Sequence, residues 1–205
     1  MKTFLVTALF TALIIFGCAD NSSDLTSPDA QINQQSNSPN WVKLPSGLGQ
    51  GFSVETEYSA EKLINGEHGG HIKLKFKILR PGHEFGDYEI KAKVKVAKHS
   101  FPDDEDRLFT ITMDPDNAYL NITPSPNTLY KHITIDWEIK GIDVSDIDPD
   151  TFDFVYIADS NEMLETSKLK LTVDYNKHKI KVKKARIDPT TTEDTPNGAR
   201  YGFTR

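Results

Sequence analysis

Two stretches of the chain alternate between apolar residues and, for the most part, lysine. In residues 71–78 (HIKLKFKI) and 88–96 (YEIKAKVKV), every second residue is apolar and most of the residues between are Lys. Successive side chains of a β-strand point to opposite faces of a sheet, whereas a helix repeats about every 3.6 residues. The alternation therefore predicts two half-buried strands, each with an apolar inner face and a basic outer face.

The same period of two continues along the chain, and no window shows a convincing helical period. Clusters of Gly, Pro, Asn and Asp separate the segments and predict turns, including a hairpin turn at 176–178. One short helical turn is expected at 143–147. The pattern predicts one all-β domain over residues 41–205, an antiparallel Ig-like β-sandwich of about nine strands. The other predicted strands are 51–58, 109–113, 132–139, 152–157, 169–175, 179–183 and 199–204.

The first 17 residues have the composition of a secretory signal peptide. A single early Lys2 is followed by an uncharged apolar run, which is short for a transmembrane helix and gives way to polar residues after Cys18. Residues 18–40 contain three Asp, no Lys or Arg and few apolar residues, so they predict a disordered tether. We therefore expect a signal peptide at 1–17, a tether at 18–40 and the folded domain after it.

The only cysteine, Cys18, follows Ile15-Phe16-Gly17 at the end of this signal. This arrangement resembles the bacterial lipobox, in which an aliphatic residue at −3 and a small residue at −1 precede the Cys. The resemblance implies a diacylglyceryl group on the Cys18 sulfur and a further acyl chain, such as palmitate, on its amine. Ala19 rather than Asp after the Cys implies, by the sorting rule of proteobacterial lipoproteins, delivery to the outer membrane. The alternatives are an ordinary signal peptide with a stray Cys and a short N-terminal anchor helix.

A second resemblance covers about residues 62–205. The segments that carry it, in order, are Leu63-Ile-Asn-Gly66 with Gly69-Gly70-His71-Ile72, Val96-Ala-Lys-His-Ser-Phe101, Phe109-Thr-Ile-Thr-Met113, Thr123-Pro-Ser-Pro126 with Leu129, and Arg200-Tyr-Gly-Phe203. Together they resemble the ZU5-like β-sandwich modules of bacterial envelope lipoproteins. The Pro and Gly of the family's Val-Pro-x-Gly-Ala-Phe turn are replaced by Ala97 and His99. The resemblance implies the fold and transfers no catalytic residue.

Three groups of residues have the composition of metal or catalytic sites. Asp146, Asp148 and Asp150 have the 1, 3, 5 spacing of a calcium loop, but Thr151 and Ile157 stand where an EF-hand needs Gly and Glu. His68 and His71 flank two glycines and could share a metal ion, although a polar hairpin turn explains them equally. The carboxylates of residues 101–107 form the third group. Solvated turns are the alternative interpretation of the Asp clusters.

The outward lysines of the two alternating strands are the candidate binding residues: Lys73, Lys75, Lys77, Lys91, Lys93 and Lys95. Lys179, Lys181 and Lys183 repeat the pattern on a third strand. If these strands pair, they form a basic surface that would attract anionic envelope polymers, lipid headgroups or an acidic protein. Solubility and protection of an edge strand are the alternative roles.

Composition excludes several classes of function. One cysteine cannot form an internal disulfide, a zinc finger, an iron–sulfur cluster or a CxxC motif, and a pI near 5.5 argues against nucleic-acid binding. No Gly-x-Ser-x-Gly, Walker or Rossmann pattern occurs. The sequence thus predicts a non-enzymatic, cofactor-free, lipid-anchored envelope lipoprotein with a structural or adhesion/binding role. The alternatives are an accessory carbohydrate- or anion-binding protein, with or without stabilisation by calcium, and an unrecognised hydrolase.

Overall fold

The computed structural model describes residues 39–45, 58–114, 116–157, 163–166, 168–187 and 199–205. Residues 1–38, with the predicted signal peptide, Cys18 and most of the tether, lie outside the described residues. The described residues form eleven β-strands and two short 3₁₀-helices, at Pro126–Thr128 and Tyr175–Lys177. The strands are β1 (Ser59–Asn65), β2 (Gly70–Ile78), β3 (Tyr88–Val96), β4 (Asp106–Met113), β5 (Tyr119–Thr123), β6 (Ile133–Lys140), β7 (Asp153–Ile157), β8 (Met163–Glu165), β9 (Lys170–Asp174), β10 (Lys179–Ile187) and β11 (Ala199–Thr204).

The strands form two antiparallel sheets. One has six strands in the order β1-β4-β5-β11-β7-β8, and the other has five in the order β2-β3-β6-β10-β9. The aromatic side chains between them join the layers: Trp137 of the five-stranded sheet contacts Phe154 and Phe203 of the six-stranded sheet, with ring centroids 6.2 and 4.8 Å apart. The predicted all-β sandwich is confirmed.

Alternation builds the core as the sequence indicates. The inward residues of β3 and β6, from Ile90 to Val96 and from Ile133 to Ile139, are at most 3% exposed. Removing these side chains from water supplies the main stabilisation, at about 25 cal/mol per Å² of apolar surface. Their neighbours on the same strands point to solvent, so the core and the lysine-rich surface share the same two strands.

Several local predictions need correction. Strands β1, β5 and β8 were not predicted, and the predicted strand 51–58 lies mostly outside the described residues. Residues 143–147 form a turn rather than a helical turn, because Asp143 Oδ1 accepts hydrogen bonds from the Ser145 amide (2.9 Å) and hydroxyl (2.7 Å). The hairpin at 176–178 is confirmed, since β9 and β10 pair across it and His178 adopts φ 48°.

The first described residues pack against the six-stranded sheet. The Val42 amide donates to the Phe203 carbonyl (2.8 Å), and Asn40 and Arg205 exchange hydrogen bonds. The Trp41 ring packs outside this sheet in a small cluster with Tyr119 and Val155. Gly202 lies against that ring, and a Cβ at this position would come within 2.4 Å of Trp41 Cζ3. Residues 40–44 are therefore fixed to the layer opposite the lysine-rich sheet.

Candidate functional site

The outward side of the five-stranded sheet, here called the lysine face, carries most of the positive charge of the described strands. β2 and β3 are direct neighbours, and β6 separates β3 from β10. Charged residues alternate with inward apolar residues on each strand, and both residues of a bulge in β10 are exposed. The basic residues of the lysine face are Lys73, Lys75, Lys77, Lys91, Lys93, Lys95, Lys140, Lys170, Lys179, Lys181, Lys183, Lys184 and Arg186.

Thirteen basic side chains face only four carboxylates there, which are Glu89, Asp136, Glu138 and Asp174. The full chain has a formal charge of −6, so an excess of nine positive charges on this face leaves −15 on the rest. On the six-stranded sheet, the described outward side chains of the strands include three carboxylates and one cation: Glu61, Asp106, Asp153 and Arg200. Positive charge is therefore concentrated on the lysine face, and most of the compensating negative charge lies outside the described strands.

Lysines stand directly opposite one another on β2 and β3. The antiparallel register pairs Lys73 with Lys93 and Lys75 with Lys91, and it places His71 opposite Lys95. Directly opposed side chains have Cβ atoms about 4.5–5.5 Å apart, and like charges in this position destabilise the sheet. On its other side, β3 faces carboxylates, because the register places Lys91 opposite Glu138 and Lys93 opposite Asp136 of β6.

On the β6 and β10 half of the lysine face, two carboxylates engage part of a larger set of cations. Glu138 Oε2 accepts a hydrogen bond from Lys181 Nζ at 2.5 Å and lies 3.9 Å from Lys179 Nζ, while Glu138 Oε1 is 4.0 Å from Lys91 Nζ. Partial burial opposes ionisation of Glu138, but the hydrogen bond from Lys181 and the neighbouring lysine charges outweigh it and lower the pKa. Asp136 accepts a hydrogen bond from the Lys184 amide (2.9 Å).

The β2 and β3 half keeps most of its charge. Lys77 pairs with Asp87 at 2.8 Å, and Lys91 pairs with Glu89 at 2.8 Å; these hydrogen bonds are the main reason that the pKa of each lysine is raised. Within the described part of the chain, no hydrogen bond or ion pair engages the remaining four lysine ammonium groups, those of Lys73, Lys75, Lys93 and Lys95. We call these four residues the lysine quartet.

Two open grooves meet at the quartet. One, of about 510 Å³, is bounded by Lys73, Lys75 and Lys91 on one side and by Glu138 and Lys181 on the other. A second, of about 490 Å³, continues past Lys95 to the turn before β2. Both grooves include Lys93 in their walls. The first groove crosses β2, β3, β6 and β10, and the second follows the ends of β2 and β3, so the quartet borders two solvent-open grooves rather than an enclosed pocket.

The sequence indicated part of this surface. It placed the six lysines of β2 and β3 on one side, and the structure brings them together on paired strands. The structure adds Lys179, Lys181 and Lys183 to the same sheet, at a distance of two strands. The acidic strip on β6 was missed because the position of that strand between β3 and β10 depends on long-range pairing. The sequence feature that indicates this acidic strip is the alternation of Asp136 and Glu138 with the buried residues of β6.

The calcium candidates are not brought together as a ligand group. Asp146 pairs with Arg205, and Asp148 Oδ1 accepts a hydrogen bond from the Asp150 amide at 2.9 Å. Among the described residues, no group of three or more His, Cys, Asp or Glu side chains is arranged to hold a metal ion. The local hydrogen bonds of this segment instead stabilise turns.

The two histidines flank the turn between β1 and β2, where Gly69 supplies φ 63°. Reduced hydration, followed by the charges of Lys73, Lys93 and Lys62, lowers the pKa of His71. The acidic segment near residue 103 is paired with bases: Asp103 Oδ1 lies 2.7 Å from His99 Nδ1, and Glu105 binds Arg107 at 2.8 Å. Among the described residues, neither the two histidines nor this acidic segment belongs to a group of three or more side chains arranged to hold a metal ion.

The fold and surface together define the class: a two-layer β-sandwich with one strongly basic sheet. No family model, curated protein or solved structure matches the chain significantly. None of the described segments forms a helix with the length and hydrophobicity that crossing a bilayer requires.

Proposed function

We propose that the chain is a lipid-anchored lipoprotein of the bacterial cell envelope whose β-sandwich binds an anionic envelope component through the lysine face. The observation that carries the binding role is the lysine quartet, four ammonium groups on adjacent strands that pair with none of the described residues and face other basic side chains. Such a surface attracts polyanions and raises their rate of association. The proposal includes no catalytic step, no cofactor and no nucleic-acid partner.

The anchoring part rests on the sequence. A signal-like segment ends at the single Cys18 in a lipobox-like context, and Ala19 favours the outer membrane. Stable attachment requires more than one lipid chain, because each buried CH₂ contributes about 0.8 kcal/mol and one myristoyl chain gives only marginal binding. Assignment of the sandwich to the ZU5-like modules is part of the proposal and rests on the ordered motifs between residues 62 and 205.

Cys18→Ala tests the anchor. In a proteobacterial host, the wild-type protein is expected to incorporate labelled fatty acid and to remain in the membrane fraction after washing with about 1 M NaCl. At that salt concentration the Debye length is about 3 Å, so attraction through the lysine face is largely screened. The Cys18→Ala protein is expected to lose the label and to leave the membrane in the salt wash.

Ala19→Asp is the matched control. It keeps the lipidation site and is expected to retain the label while moving the protein from the outer to the inner membrane fraction. An unlabelled wild-type protein would contradict the anchoring proposal. A Cys18→Ala protein that stays bound to the membrane in high salt would contradict it as well.

A further inference from the structure

The lysine quartet lies on a regular ladder of cations. Residues two apart on a strand are separated by about 6.6–6.8 Å, and neighbouring strands are about 4.7–4.9 Å apart. The rungs Lys75/Lys91, Lys73/Lys93 and His71/Lys95 therefore recur about every 6.7 Å along the β2–β3 ribbon. A ladder of this kind matches a linear ligand that carries one negative charge in each repeat of comparable length.

The shape of the surface also favours an extended ligand. The second groove follows the ribbon from Lys93 and Lys95 to the turn at His68, the first crosses the sheet from Lys73 and Lys75 to Lys181, and both are open to solvent. An enclosed pocket would suit a compact small molecule, which buries most of its surface on binding. An open channel with repeated charges instead suits a polymer that contacts successive rungs.

The side chains of the ribbon argue against nucleic acid. Single-stranded nucleic acids are bound by aromatic side chains that stack on bases, together with cations that follow the backbone. The outward positions of β2 and β3 hold one His, one Glu and six Lys, with no Phe, Tyr, Trp or Arg. Lysine ammonium groups act as hydrated point charges rather than planar bidentate donors, which suits charge-based and geometrically tolerant recognition.

We propose that the β2–β3 ribbon binds a linear acidic glycan, a polysaccharide with one carboxylate or phosphate per repeat, which lies along the strands on the rungs of the lysine quartet. This inference rests on the proposed binding role of the lysine face and names its ligand class and path. The β6 and β10 half differs in that carboxylates stand among its cations, with Glu138 bound to Lys181, whereas no carboxylate stands on the three rungs of the ribbon.

The test uses the detergent-solubilised full-length protein and oligogalacturonates of increasing length, with a neutral oligosaccharide as the control ligand. Affinity is expected to rise with chain length and to level off once the chain spans the three rungs. Replacement of Lys73, Lys75, Lys93 and Lys95 by Ala is expected to weaken binding by roughly tenfold or more, because it removes four surface ion pairs with the ligand, each of modest strength. The matched control replaces four basic residues of β9 and β10 that lie outside the first groove, namely Lys170, Lys183, Lys184 and Arg186, and is expected to change affinity by less than about threefold.

Three results would overturn the inference. Equal losses in the two quadruple variants would show attraction by total charge rather than by the ribbon. Tighter quartet-dependent binding to vesicles with one-third phosphatidylglycerol, or to single-stranded DNA, would assign the ribbon to a membrane or to nucleic acid. Absence of binding to any oligogalacturonate or polyphosphate would refute the glycan-binding inference. The proposed function would still be tested separately, by the Cys18→Ala experiment and by retention of the protein on a cation-exchange matrix.

Discussion

Gly202→Ala tests whether the N-terminal segment is fixed to the six-stranded layer as described. A methyl group at this position would lie 2.4 Å from Trp41 Cζ3, 2.6 Å from the Ala118 carbonyl oxygen and 2.7 Å from Tyr119 Cβ. All three distances are far shorter than the 3.5–4.0 Å at which carbon atoms attract. The substitution therefore forces movement of the ring, of the backbone or of both.

The backbone contact makes relaxation costly. The Ala118 carbonyl accepts a hydrogen bond from the Phe203 amide at 2.9 Å, so its retreat from the new methyl group weakens the link to β11. Overpacking of this kind typically costs about 1–3 kcal/mol. Because a carbonyl as well as a ring must move, we expect Gly202→Ala to lower the free energy of unfolding by about 2–3 kcal/mol.

Urea unfolding followed by far-ultraviolet circular dichroism measures this change. The double variant Trp41→Ala/Gly202→Ala separates the two contacts, since it removes the ring and leaves the Ala118 carbonyl in place. The double variant should be less stable than Trp41→Ala alone, by less than the cost of Gly202→Ala in the wild-type protein. A Gly202→Ala protein within about 0.5 kcal/mol of wild type would refute the reasoning. The packing of residues 40–44 against the six-stranded layer would then lose its support.

Two further predictions concern charge and calcium. Glu138→Gln removes a carboxylate whose folded pKa is lowered by Lys181 and other lysines, so its stabilising contribution is present above pH 4.5 and is lost as the pH falls through the folded pKa. The difference between the urea midpoints of wild type and Glu138→Gln should therefore be largest at pH 7 and shrink as the pH is lowered below 4.5; a difference that does not change with pH would contradict this assignment. Calcium stabilisation through Asp146, Asp148 and Asp150 stays a prediction, and since the local geometry forms turns, we expect no more than a small shift in melting temperature between EDTA and excess Ca²⁺. A rise of several degrees that the triple Asn variant abolishes would reverse that expectation.

The sequence predicts best those strands whose own residues alternate clearly between apolar and polar. The alternation in residues 88–96 sets the bounds of β3 without reference to any neighbour. In β1, exposed Leu63 occupies an outward position and Lys62 an inward-facing one, so the apolar period is broken. Pairing with β4 stabilises that strand in the structure. The three-residue β8 is too short to carry a periodic signal.

The parts that sequence could not predict depend on strand order. The β2–β3 hairpin is local, so its lysines could be expected to share a surface. The placement of β6 beside β3 is non-local, and it is this placement that brings Glu138 within reach of Lys181. The predicted helical turn failed for a related reason: Val144 and Ile147, three residues apart, are buried by the tertiary packing of a loop and not by a helix.

The position of β2 at the end of its sheet has a consequence for neighbouring copies of the protein. Among the described strands it pairs with β3 alone, which leaves one side of its backbone open to strand addition. If two copies met through this edge, rows of lysines would stand about 4.7–4.9 Å apart across the junction. Proteins concentrated at a membrane would thus repel one another along this edge. A bound polyanion would neutralise the repulsion and let copies gather along one polymer.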